Sequence, residues 1–84
     1  MSNPVNLQPG TSTNFPTWAF FGTTTLNVKN LSNGRDGEIS VSAGFESEKV
    51  AVQAGNSTSI ERKWAGVPIM VTNSGFTDVE VWTA

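Results

Sequence analysis

Val71-Thr-Asn-Ser-Gly-Phe-Thr-Asp-Val-Glu-Val-Trp-Thr-Ala84 is the stretch on which the fold turns. Side chains of an extended chain point alternately to opposite faces. Val79 and Val81 therefore share one face, while Asp78, Glu80 and Trp82 share the other. The apolar residues repeat every second position, so the segment reads as a strand with one buried face. The Asn-Ser-Gly before it reads as a turn, and Val71 as the end of a preceding strand. Trp82 is the anomaly, because a large indole on a polar face calls for a partner in the fold or outside it.

The same alternation extends outward through the chain. Leu26 and Val28, then Ile39, Val41 and Ala43, then Val50, Val52 and Ala54, then Val67, Ile69 and Val71 each alternate with intervening residues. Glycine and asparagine mark the separators, as in Leu31-Ser-Asn-Gly-Arg-Asp-Gly37 and Ala54-Gly-Asn56. No stripe at i, i+3, i+4 spacing predicts a helix. Strands are expected near residues 18–22, 24–30, 37–43, 48–54, 57–64, 67–73 and 77–83. Short connections favour antiparallel neighbours. The expected fold is all-β: one small antiparallel β-sandwich of about seven short strands, immunoglobulin-like in style, over residues 17–84. A small β-barrel is the alternative. Residues 1–16, rich in Asn, Pro, Ser and Thr, read as an extended N-terminal arm. Such an arm can lie along the body, reach a neighbouring subunit or stay disordered.

A short internal echo joins two places. Val28-Lys-Asn30 leads through a glycine-containing loop to Ile39-Ser-Val41, and Val71-Thr-Asn73 leads through another to Val79-Glu-Val81. Read as two hairpins, this pattern resembles those of bacterial immunoglobulin-like domains.

Composition narrows the chemistry. The chain has 84 residues, no cysteine and no histidine, so disulfides are excluded and thiolate or imidazole metal sites are not expected. Seven acids and five bases give a net charge of −2, without a basic stripe for nucleic acid or a polybasic patch for lipid. The longest apolar run, Trp18-Ala-Phe-Phe21, is too short to cross a bilayer, so no membrane insertion is expected. No basic start followed by an apolar core suggests a signal peptide. Cytoplasmic residence and a mature exported form are both compatible with these features. A domain this small has a limited core, and self-association is a common reinforcement.

Catalysis lacks its usual agents. Without histidine, cysteine or tyrosine, the candidates reduce to carboxylate pairs at i, i+2 spacing: Asp36 with Glu38, Glu46 with Glu48, and Asp78 with Glu80. Two acids beside Trp82 suit a glycosidase, but so short a chain has little to wall a cleft, and solvated surface acids are the simpler reading. No enzyme, cofactor or metal is expected. The loop Asn33-Gly-Arg-Asp-Gly-Glu38 has oxygen ligands but lacks the full EF-hand spacing and carries Arg35 in its middle.

The aromatics carry the functional expectation. If residues 67–73 and 77–83 form a hairpin, Pro68 and Met70 stand beside Trp82 and Glu80 on the outer face. The expected binding surface is then Trp82, Glu80, Asp78, Met70 and Pro68, with Trp18, Phe20 and Phe21 as a second possible interface. Trp64 is expected to point inward or lie at the sandwich edge, with Arg62 reaching out to solvent. Phe45 and Phe76, in turns, are expected to plug the ends of the sandwich. The leading functional expectation is a non-catalytic interaction module that forms homo-oligomers through strand edges, an aromatic face or the N-terminal arm. The alternative is a lectin-like module binding carbohydrate through Trp82 and its neighbouring acids.

Overall fold

The computed structural model describes residues 3–19 and 22–84. Its strands are β1 (Val5–Leu7), β2 (Ser12–Phe15), β3 (Thr24–Asn30), β4 (Gly37–Ala43), β5 (Glu46–Val52), β6 (Ser57–Arg62), β7 (Ile69–Asn73) and β8 (Val79–Thr83). They form two four-stranded antiparallel sheets, one ordered β1-β8-β3-β6 and the other β2-β7-β4-β5. The fold is a small β-sandwich, and its strand order is that of a jelly roll.

Two expectations change at this level. Eight strands are present rather than about seven, and the order is not the immunoglobulin one, in which the first two strands pair in one sheet. The reason lies in the turns. Of consecutive strands, β4 and β5 alone share a sheet. The Asn30 and Asn73 turns are arches that carry the chain from one sheet to the other. Residues 1–16 include β1 and β2, which pair antiparallel with β8 and β7 of the same chain. Of the placements open to the arm, this is the one along the body. The strand expected at 18–22 is not seen at Trp18, Ala19 and Gly22, and Phe20 and Phe21 lie outside the described residues.

The core is what alternation predicts. Leu7, Phe15, Leu26, Val28, Ile39, Val41, Val52, Ile69, Val71, Val79 and Val81 are buried between the sheets. Trp64 and Ile60 pack against them from the margin. Full burial of such side chains contributes about 1.5–3 kcal/mol each, the main favourable contribution in a chain without disulfides.

The two halves of the chain repeat one plan. Replacing β1, β2, β3 and β4 by β5, β6, β7 and β8, and the reverse, converts each sheet order into the other. Core residues follow in pairs: Leu7 with Val52, Leu26 with Ile69, Val28 with Val71, Ile39 with Val79, and Val41 with Val81. Gln8-Pro-Gly-Thr-Ser-Thr13 matches Gln53-Ala-Gly-Asn-Ser-Thr58. In these turns the amide of Thr11 donates to Gln8 O (3.0 Å) and that of Asn56 to Gln53 O (3.1 Å).

The buried asparagines make the correspondence physical. Asn30 Nδ2 donates to Arg35 O (2.8 Å) in its own arch and to Val52 O (3.1 Å) at the end of β5. Asn73 Nδ2 donates to Thr77 O (2.7 Å) in its arch and to Leu7 O (2.8 Å) at the end of β1. Each Oδ1 accepts the amide two residues on, from Ser32 and Gly75. The Thr77 hydroxyl donates to Asn30 Oδ1 (3.2 Å) and ties the two arches together. A buried amide is tolerated because its donors and acceptor are used, and no buried side-chain polar atom among the described residues lacks a partner.

Candidate functional site

The outer face of the β1-β8-β3-β6 sheet is built from the outward positions of its strands. Cross-strand pairing sets Trp82 opposite Asn27, and Asn27 opposite Ser59. In the next row Asn6, Glu80, Lys29 and Ser57 stand side by side. Beyond Trp82 on the other side, Thr25 lies opposite Glu61. The half-buried indole is thus the one large apolar group among amides, hydroxyls and charges. Trp82 and Asn27 line a shallow depression of about 210 Å³ with Ser57, Thr58 and Ser59 of the β6 edge. It offers an aromatic surface, one carboxamide and several hydroxyl groups, which donate or accept hydrogen bonds.

The expected companions of Trp82 divide into two groups. Glu80 is on the same face, two residues along β8. Asp78 belongs to the arch, and at about 3.3 Å per residue of strand it lies roughly 13 Å from Trp82 along the chain. It lines a different depression with Asn6, Gln8 and Thr11. Pro68 and Met70 are not beside Trp82. β7 belongs to the other sheet, so Met70 faces solvent from the opposite side of the sandwich, between Asn14 and Ser42. That Val71 and Val79 face inward was legible; their expected pairing is not found, because the chain crosses between sheets at the arch and separates their outward neighbours as well.

Apart from Phe76, the other aromatics at the surface and margin lie at the end of the sandwich opposite the arches. Phe45 occupies the tip of the β4–β5 hairpin and is fully exposed; Phe76 is 84% exposed in the second arch. Neither is the plug expected of it, because the inward strand residues already fill the core. Trp18 is 52% exposed. Its amide donates to Thr24 Oγ1 (2.9 Å), and its carbonyl accepts from Gly66 N (2.9 Å). Trp64 is half-buried at the sandwich margin, and beside it Arg62 reaches Glu48 of β5 at 3.0 Å. Phe45, Trp64 and Val67 line a groove of about 300 Å³ flanked by Glu46 and Lys63.

Glu46 and Glu48 stay together in one depression beside Phe45 and Trp64, whereas the acids of the first pair are engaged within the fold. Asp36 Oδ1 accepts the amide of Ala54 (3.0 Å), and Glu38 Oε1 accepts the Ser74 hydroxyl (2.9 Å). Asn27, Ser57 and Ser59 escaped sequence reasoning, because they reach Trp82 only through pairing with distant strands.

The chain matches the model of a family of unknown function, DUF8244, over residues 5–84. Two uncharacterized proteins of Dictyostelium discoideum are similar to it, 35% and 34% identical, with each alignment covering all of both chains. No solved structure matches. The outward Trp82 platform and the paired Asn30 and Asn73 arches are thus features of a chain that belongs to the DUF8244 family.

Proposed function

We propose that this protein is a non-catalytic, lectin-like module that binds a neutral saccharide on the Trp82 face. The observation that carries the reading is the row Trp82–Asn27–Ser59 with its adjoining depression. A pyranose presents C–H groups on its faces and hydroxyls around its rim. The C–H face suits an indole, while the rim suits a carboxamide and serine hydroxyls. Glu80 and Lys29, opposite each other in the next row, supply a further acceptor and donor. An open platform leaves much of the ring in water, so a single sugar should bind with a roughly millimolar dissociation constant, equivalent to about 4 kcal/mol.

The experiment is a glycan array followed by NMR titration with the best binder. Amide shifts at Asn27, Ser59 and Trp82 that saturate together are the expected result. Trp82→Ala should abolish binding, and Asn27→Ala should weaken it by about tenfold through loss of the amide's hydrogen bonds. A flat array, or saturable shifts confined to another surface, would refute the proposal.

A further inference from the structure

We propose that the Phe45 end of the sandwich is a homodimer interface, and that its occupant is the same surface of a second copy. The patch has the two properties a two-fold interface requires, a knob beside a hole and charges that complement themselves. Phe45 is the knob. It stands fully exposed at a hairpin tip, outside the core of its own fold. The hole is the groove of about 300 Å³ that Phe45 itself borders, walled on its other sides by Trp64 and Val67. Val67 is itself 42% exposed.

Charge selects the partner. Glu46 and Lys63 flank the groove from different sheets, at the start of β5 and just after β6. Among the described residues the salt bridge is Arg62 to Glu48, so Glu46 and Lys63 carry opposite charges without an ion pair of their own. A two-fold axis through the patch sets Glu46 of each copy against Lys63 of the other, and each Phe45 against the partner copy's groove. An unrelated partner would have to match both signs and the knob, whereas a second copy does so by symmetry. The β5 edge beside the patch carries Glu46, Glu48 and Lys49, charges that oppose open-ended edge pairing. Association through the end is therefore closed at two copies. The two Trp82 faces of such a dimer would give it two saccharide sites, and the dimer does not depend on those sites being filled.

Sedimentation velocity across the micromolar range tests this directly. A concentration-dependent monomer–dimer equilibrium is expected. Phe45→Ser should raise its dissociation constant at least about tenfold, as loss of a central aromatic anchor does. At concentrations where the wild type is monomeric it should leave the unfolding midpoint in place, because the ring is exposed in the monomer. Glu46→Lys alone and Lys63→Glu alone should each weaken the dimer several-fold. The double variant, which exchanges the charges, should recover wild-type association. A monomer throughout, a dimer indifferent to Phe45→Ser, or a double variant no better than the single ones would overturn the proposal.

Discussion

The first half of the chain and the second build the same interior and display different exteriors. Leu26 and Ile69, Val28 and Val71, and Asn30 and Asn73 fill matching places between the sheets. Outside, the row Trp82–Asn27–Ser59 on one face matches Ser42–Met70–Asn14 on the other. Trp18, which follows β2, is half exposed, while Trp64, which follows the corresponding strand β6, packs against the core. Closing two sheets over one core restricts what each inward position can hold, since volume and hydrogen bonding are fixed there. Outward positions carry no such constraint. The places where the halves part company are therefore the places to look for function, and they are the tryptophan platform and the Phe45 end.

The largest expected effect tests the likeness. Asn30→Ala and Asn73→Ala each remove one amide that serves two main-chain carbonyls, one in its arch and one on a neighbouring strand. At about 1–3 kcal/mol for each buried group left without a partner, each variant should lose roughly 3 kcal/mol of stability. Urea unfolding of the two should give losses within about 1 kcal/mol of each other, because each amide serves a matching pair of carbonyls. A silent variant at either site would break the equivalence of the arches. Asn73→Asp should cost more than Asn73→Ala, because a carboxylate would face the carbonyls of Leu7 and Thr77.

A smaller effect tests the difference. Ser42 and Met70 occupy the places on the second face that Trp82 and Asn27 occupy on the first. Ser42→Trp combined with Met70→Asn would rebuild the tryptophan–amide row beside Asn14. If that row is sufficient for saccharide binding, NMR titration should show a second set of saturating shifts, at Asn14 and Thr72, within about tenfold of the original affinity. Binding confined to the original face would mean that the β6 hydroxyls, not the row alone, make the site.

What could be read from the sequence was the local part. Alternation at Leu26/Val28, Ile39/Val41 and Val79/Val81 identified the buried faces, because period two survives any choice of strand order. The choice between hairpin and arch could not be read. The loop of five residues from Ser74 to Asp78 can return to the same sheet or cross to the other, and the decision rests on where Asn73 finds its partners. One of them, Leu7, is 66 residues away. The match between residues 8–13 and 53–58 stood in the sequence, but β1 and β2 are only three and four residues long and adjoin prolines, so the first copy reads as a loose arm. The neighbours of Trp82 were hidden for the reason that hid the sheet order: Asn27 and Ser59 reach it through non-local pairing.

The smallest effect separates the two copies of the repeated turn. Gly10 and Gly55 both adopt positive φ, at 83° and 71°, where a side chain is strained. Alanine at either position should destabilise by about 1 kcal/mol from the backbone alone. The surroundings then differ. A methyl group at Gly10 would have no atom within 4 Å, whereas one at Gly55 would stand 3.2 Å from Asn33 Oδ1 in the first arch. Gly55→Ala should therefore lose more stability than Gly10→Ala, by a few tenths of a kcal/mol if the Asn33 side chain gives way. Chemical unfolding of both variants beside Asn33→Ala resolves the cause. The gap should close when Gly55→Ala is made in the Asn33→Ala background, because the carboxamide that the methyl meets is then gone. A gap that persists in that background would place the difference in the main chain of the two turns, and the halves would then differ in their backbone as well as in their surfaces.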